Sequence, residues 1–399
     1  MSWIVFAPIW RQRPGNQQIA NPGKIMTIEK NRSRRWLMKN SKAWLGAASL
    51  PSATLARETA PWHVDALDGW RGMAIVCVLL SHFVGETHIV LGRMGVDFFF
   101  VLSGLLMANL LFVRKTELGL FYWRRFSRIA PAFFLYVLCV FVGAWAWGLV
   151  VPWNELLPNL LFLRSYLPAI PDYWNSSLPV QHLWSLNVEE HCYIVMGLLT
   201  VLPWVKNRGA WVALCGLGLL SLWLRLYAPQ MPWLLGEKMA GIRTDTAAAH
   251  LMLSAGYWLI KSRFAPWVHP WMPPLALFAG VLCYSDMVPW WFGMLASPFL
   301  LAFAVNHLDQ SAAAMKAVLC WKPLRQLGIW SFSLYLWQQP FYHWGTALMP
   351  WGLALAGAFV VGLISFYWVE QPARNWLNAR WDQGLIRSLN SLALRAGKS

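Results

Sequence analysis

Charge is scarce in this sequence. Asp, Glu, Lys and Arg make up 13% of its 399 residues, against roughly 25% in an ordinary soluble domain, a deficit that excludes a conventional water-soluble globule. Acids are scarcer still, with 17 Asp and Glu against 33 Lys and Arg and a formal net charge of +16. That excess does not point to nucleic acid, because the basic residues fall between apolar segments instead of forming one stripe or arm. The six cysteines (Cys77, Cys139, Cys192, Cys215, Cys283 and Cys320) lie singly in or beside apolar runs. None has the C-x-x-C spacing of zinc or redox sites, so they read as small core residues and no metal is expected. No signal-peptide cleavage pattern is evident, and the two halves lack the paired, inverted broken helices common in transporters.

Apolar and aromatic residues are abundant. The chain is 58% hydrophobic and carries 29 Trp, the side chain that settles where hydrocarbon meets headgroups. From about Asp65 onward, apolar stretches recur near 69–86, 94–113, 130–151, 187–204, 210–228, 242–260, 268–286, 288–306, 327–347 and 351–370. Each is long enough to cross the ~30 Å hydrocarbon layer as a helix. The run Leu156 to Leu163, flanked by Pro158 and Pro168, is too brief to span and reads as an interfacial or re-entrant piece.

The expected fold class is therefore all-α, a polytopic membrane helical bundle of about ten transmembrane helices. Its expected parts are a basic tail over 1–64, a transmembrane domain over 65–377 and a second basic tail over 378–399. The first tail reads as disordered, or as a start-site artefact if translation begins at Met26 or Met38. Cytoplasmic loops are enriched in Lys and Arg. Ten spans with the N-terminus inside put Arg114, Lys115, Arg124, Arg125, Arg128, Lys206, Arg208, Lys261, Arg263, Lys316, Lys322, Arg325, Arg374 and Arg380 on the cytoplasmic side. Only Arg93, Arg164, Arg225, Lys238 and Arg243 fall outside, so the expected orientation is N-in and C-in.

An ionisable group within a span costs at least ~2.5 kcal/mol on insertion scales and is a functional candidate by default. Arg71 and His82 are eleven positions apart on one helix, which returns them to within ~20° of one face and separates them by ~16 Å. Position alone also fits a snorkelling Arg71 and a carbonyl partner for His82. Asp97, within Gly95-Val96-Asp97-Phe98-Phe99-Phe100-Val101-Leu102-Ser103-Gly104, is placed to hold the His82 imidazole as a general base requires, or else caps its own helix. Glu189 and Glu190, in Trp184-Ser185-Leu186-Asn187-Val188-Glu189-Glu190, point about 100° apart, so one at most should share His82's cavity, and Glu189 is favoured. Arg125 and Arg128 share a helix face and suit a polyphosphate, although a topology anchor needs the same residues.

These segments together resemble the acyltransferase-3 family, bacterial inner-membrane proteins that O-acylate surface or secreted glycans. Arg71 and His82 match its basic residue followed eleven positions later by His, 95–104 its second-span signature, and Arg125 and Arg128 its Arg-x-x-Arg pair. Further matches are Trp184 to Tyr193, the Arg-x-Asp of Arg243 and Asp245, and the closing Glu370-Gln371-Pro372-Ala373-Arg374. The chain departs from the family at Gln338, where His is usual, at His250, where Gly is common, and at His191.

The resemblance implies a multi-pass protein of the bacterial inner membrane that moves an acyl group, acetyl foremost, from cytosolic acyl-CoA to a hydroxyl of an extracytoplasmic carbohydrate. His82 would be general base or covalent acyl relay, helped by Asp97, Glu189 and Glu190. Arg71, Arg125 and Arg128 would hold CoA phosphates, and Arg243 and Asp245 would contact substrate. A separate extracytoplasmic transferase is an implied partner. The rival reading is a secondary transporter with a charged intramembrane cavity.

Overall fold

A computed structural model describes residues 61–85, 88–167, 176–205, 209–230 and 241–396. The basic tail therefore lies outside the described residues except for its last four, which open the first helix, and Met26, Met38, Pro168, Lys206, Arg208 and Lys238 also lie outside them. The compact unit begins at Asp65. Among the described residues the structure is helical, with one isolated antiparallel bridge, Ile89 to Ser285.

The longer helices are α1 (Pro61–Phe83), α2 (Leu91–Ala108), α3 (Leu118–Ala146), α4 (Trp184–Leu199), α5 (Ala210–Tyr227), α6 (Ala249–Phe264), α7 (Met272–Leu282), α8 (Trp290–Asn306), α9 (Lys322–Pro340), α10 (Trp351–Ser365) and α11 (Gln371–Ala396). A helix thus occupies each apolar stretch read from the sequence, and α11 carries the helix through the expected C-terminal tail. Four described helical segments are long and apolar enough to cross a membrane: Leu91–Val113, Leu118–Ala146, Ala210–Tyr227 and Trp351–Gly384. Residues 156–160 form one short helix behind a buried Arg164–Glu155 ion pair of 3.1 Å.

The outer surface is apolar. Leu135, Leu138 and Val142 on α3, Leu219 and Leu220 on α5, Leu275 and Phe278 on α7, and Leu353 and Val360 on α10 are all exposed. Exposed Trp residues gather near helix ends, at Trp145, Trp147, Trp267, Trp271, Trp290, Trp321 and Trp351. Apolar flanks with indoles at their rims are what hydrocarbon and headgroups select, and with the candidate spans they point to a membrane protein. The cysteine reading holds for Cys77 and Cys192, which are buried, whereas Cys139 is exposed on α3.

Polar groups turn inward instead. Helix α6 is central, packed against α2, α5 and α8, and its residues 249–256 are all buried. Ser254 Oγ donates to the Val101 carbonyl of α2 at 2.6 Å and receives Asn306 Nδ2 of α8 at 3.0 Å. Helices α1 and α9 meet through glycine. A Cβ on Gly328 would lie 1.8 Å from the Asp68 carbonyl oxygen, and one on Gly72 would lie 1.9 Å from that of Leu324. Only glycine allows backbones this close, the small-residue packing familiar between membrane helices.

Two helix defects serve the interior. Pro340 lacks the N–H that would bond back along α9, and the helix widens into a π turn over Phe341–Gly345. A second π turn, Phe366–Glu370, joins α10 to α11. The first carries Tyr342, which lines the cavity described next, and the second carries the buried Glu370.

Candidate active site

His82 sits one residue before the end of α1, partly buried, and lines a cavity of about 740 Å³ with Arg93, Gln181, His182, Arg225, Tyr335 and Tyr342. Its Nδ1 is 2.7 Å from Gln338 Oε1 on α9. The Gln338 amide nitrogen faces two acceptors, Tyr335 O at 3.4 Å and Gln339 Oε1 at 3.1 Å, which assigns Oε1 to the imidazole. An amide oxygen only accepts, so Nδ1 carries the proton and Nε2 is the basic nitrogen. The Tyr342 ring stacks on the imidazole at 4.5 Å and 16°. Sequence reasoning marked Gln338 only as a departure from a family pattern, and its alignment with a family His was the signal that the position faces His82.

Asp97 has other partners than the expected one. Helix α2 begins at Leu91, so Asp97 lies inside the helix and caps nothing. Its Oδ2 receives Arg93 Nε at 2.9 Å and the Tyr284 hydroxyl at 2.9 Å, while Oδ1 is 3.4 Å from His250 Nδ1 on α6. The imidazole at ion-pair distance from Asp97 is therefore that of His250, with no hydrogen bond between them. The physical reason is local: Arg93 is one turn earlier on the same face and captures the carboxylate, holding it toward α6.

The two glutamates also depart from expectation, since neither lines the His82 cavity. Glu190 Oε1 pairs with Arg125 Nη2 at 3.1 Å, and Glu189 Oε2 lies 4.0 Å from the same nitrogen. Ser103 Oγ donates to Glu189 Oε1 at 2.8 Å. Directions 100° apart still converge here, because one long guanidinium reaches between them. The Arg125 guanidinium also lies 3.6 Å from the Tyr193 ring centroid, a cation–π contact.

The three cationic candidates do come together. Arg128 lies within electrostatic range of Arg71 and Arg125, with Glu370 and Arg374 nearby. Arg71 Nη1 donates to Asp68 Oδ1 at 2.8 Å, and Glu370 Oε2 receives Ser333 Oγ at 2.7 Å. Arg71 precedes His82 on α1 by about 16 Å of helix rise. One end of the bundle thus holds arginines braced by carboxylates, and the other the His82 imidazole in a cavity. Arg243 and Asp245 form a two-point ion pair of 3.2 and 2.7 Å, with the guanidinium 5.0 Å from the Tyr166 ring. The adjoining Thr244 hydroxyl meets His191 Nδ1 at 2.8 Å.

A cation cluster suited to anions and a basic imidazole are what acyl transfer from a phosphorylated carrier requires. Among known proteins, the acyltransferase-3 family model, described as an acyltransferase domain, matches residues 64–370. The chain belongs to the acyltransferase-3 family. It therefore carries the domain of an enzyme that transfers acyl groups. It is 28% identical to the peptidoglycan O-acetyltransferase OatA of Listeria monocytogenes, over 78% of this chain and 56% of the relative. It is 31% identical to the O-acetyltransferase OatA of Staphylococcus aureus, over 36% of this chain and 26% of the relative. The chain thus spans about half the length of the first relative and about a quarter of the second. No solved structure matches this acyltransferase-3 chain.

Proposed function

We propose that this protein is a multi-pass O-acyltransferase of the bacterial inner membrane, N-in and C-in with about ten spans. It moves an acetyl group from cytosolic acetyl-CoA to a hydroxyl of an extracytoplasmic glycan. The observation that carries the reading is the His82–Gln338 pair at 2.7 Å, an imidazole fixed in one tautomer inside a cavity large enough for part of a sugar and an acyl group. The family membership and the relatives' names support acetyl as the group and a glycan as the acceptor.

On this reading His82 Nε2 takes the proton of the acceptor hydroxyl as its oxygen attacks the thioester carbonyl. The C–S bond breaks, and the departing sulfur receives that proton from the imidazole. Arg71, Arg125 and Arg128 hold the carrier's phosphates at the opposite end, so that the pantetheine arm bridges the distance along α1. Asp68, Glu189, Glu190 and Glu370 keep these cations ordered while the site is empty. Arg243 and Asp245 brace the chain beside Gly241 and Ile242, which line the His82 cavity, and contact the acceptor from there. A separate extracytoplasmic transferase can then carry the acyl group onward to its final acceptor.

Mass spectrometry of surface glycans from wild-type and deletion cells tests the reading. An acetyl increment lost on deletion and restored by the wild-type gene supports it, and identical glycan spectra contradict it.

A further inference from the structure

A second cavity, of about 570 Å³, lies where α2, α6 and α8 meet, lined by Asp97, His250, Tyr284, Ser297 and Arg225 and rimmed by exposed His88 and Asp286. His250, Ser297 and Asp97 are buried. His250 Nδ1 is 3.4 Å from Asp97 Oδ1, and its Nε2 is 3.1 Å from Ser297 Oγ. Carboxylate, imidazole and hydroxyl thus lie in the order that activates a serine, with the imidazole hydrogen-bonded to the hydroxyl and at ion-pair distance, without a hydrogen bond, from the carboxylate.

The Tyr284 hydroxyl is also 3.1 Å from Nε2, but it lies 2.9 Å from Asp97 Oδ2. A phenol has one proton to give, and the carboxylate is the stronger acceptor. With Tyr284 donating to Asp97, a neutral His250 that carries its proton on Nδ1, the nitrogen nearer Asp97, offers the Nε2 lone pair to the Ser297 O–H. Arg225 lines this cavity and the His82 cavity alike, and its buried Nη1 has no hydrogen-bond partner. Gly241, at φ +116°, leaves room for it, since a Cβ there would lie 2.6 Å from that nitrogen. A desolvated donor with nothing to bind indicates a place for an anion or oxyanion.

We propose that this cavity is a second acyl-transfer site, with Ser297 as nucleophile, His250 as its base, Asp97 as the residue positioning the imidazole, and Arg225 as the cation that receives the oxyanion. Its substrates are small acyl esters or thioesters. Ser297 Oγ attacks the acyl carbonyl and gives its proton to His250 Nε2. The bond to the leaving oxygen or sulfur then breaks, and that atom takes the proton. In the second half an acceptor hydroxyl, from a sugar or water, attacks the seryl ester, loses its proton to His250, and Ser297 recovers it. The site depends on the acyl-transfer reading only for the source of its acyl group, and its chemistry is independent of His82.

The test uses the full chain in lipid nanodiscs and a fluorophosphonate probe, which forms a P–O bond to an activated serine and expels fluoride. Peptide mass spectrometry should find the label on Ser297. Labelling should vanish in Ser297→Ala, fall about a hundredfold in His250→Asn, and persist in His82→Ala. Label absent from wild-type protein, or carried by Tyr284, overturns the proposal. Parallel incubations with acetyl-CoA and with an O-acetylated hexosamine, read as acetyl on Ser297, identify which donor feeds the site, and an acetyl-serine from either supports it. Ser297 left unlabelled while His82→Ala abolishes glycan acetylation would sink this inference and leave the proposed function standing. A labelled Ser297 with acetylation intact in His82→Ala would do the reverse.

Discussion

Gly328→Ala should disconnect the proposed base, His82, without touching it. The new Cβ would lie 1.8 Å from the Asp68 carbonyl oxygen of α1, where carbon and oxygen settle no closer than about 3.3 Å. Helices α1 and α9 must then part by about 1.5 Å, an overpacking cost of roughly 1–3 kcal/mol. His82 and Gln338 each lie ten positions beyond Gly72 and Gly328, about 15 Å along parallel helices. A rigid displacement carries the separation to them. Their bond, 2.7 Å long, would open to about 4.2 Å, past the range of a hydrogen bond. The Nδ1–H then loses its acceptor, at about 1–3 kcal/mol, or roughly 5- to 150-fold in rate. The assay is acetyl transfer from labelled acetyl-CoA to glycan acceptor in membrane vesicles, normalised to protein. Gly143→Ala is the control, because nothing lies within 4 Å of a Cβ at that position, and it should match wild type. Wild-type transfer by Gly328→Ala at equal protein level would refute the reasoning.

Other outcomes follow from single contacts. Gln338→Leu should lower kcat by about tenfold or more, while Gln338→His, which restores an acceptor nitrogen, should recover most of it; equal rates for the two variants would remove the tautomer argument. Arg71→Ala and Arg125→Ala should each weaken acetyl-CoA binding about tenfold, the worth of a charge-assisted hydrogen bond, and an unchanged Kd in a CoA titration on purified protein would exclude them from donor binding. Between helices, His88 Nδ1 bonds Asp286 Oδ2 at 2.7 Å beside the bridge from Ile89 to Ser285. That hydrogen bond and the carboxylate's charge raise the His88 pKa above its ordinary 6.5. The raised value means the clip is fully formed below pH 6.5 and weakens as pH climbs through the folded-state pKa. Hydrogen exchange at the Val90 and Asp286 amides should therefore quicken from pH 6 to pH 9 beyond the intrinsic rate, and His88→Asn should abolish that extra dependence.

The helices were legible because a bilayer leaves so little choice: an apolar run of sufficient length has to satisfy its backbone internally. The residue types of the site were legible for the same reason, since each buried ionisable group stands out against hydrocarbon. Arg71 and Arg125 lie within electrostatic range of Arg128, a grouping that for Arg71 came from the family resemblance and not from spacing. Partnerships were not legible, because they depend on how helices cross. Nothing in the order of residues reveals that Arg93 turns Asp97 toward α6, so the expected Asp97–His82 pair is an Asp97–His250 pair instead. Geometry on one helix also predicted that Glu189 and Glu190 must serve different neighbours, yet Arg125 on α3 is long enough to meet both. The contact of Gln338 with His82 lies ten positions beyond Gly72 and Gly328, whose close approach appears only once two backbones touch.

Acetyl transfer by His82→Ala is the decisive measurement, made in cells where the variant reaches the membrane in wild-type amount. Removing a general base lowers turnover by about 10²- to 10⁴-fold, so the glycan acetyl increment should disappear while acetyl-CoA still binds the purified protein. Acetylated glycan accumulating at the wild-type level in those cells would mean that the imidazole at the end of α1 is not the base.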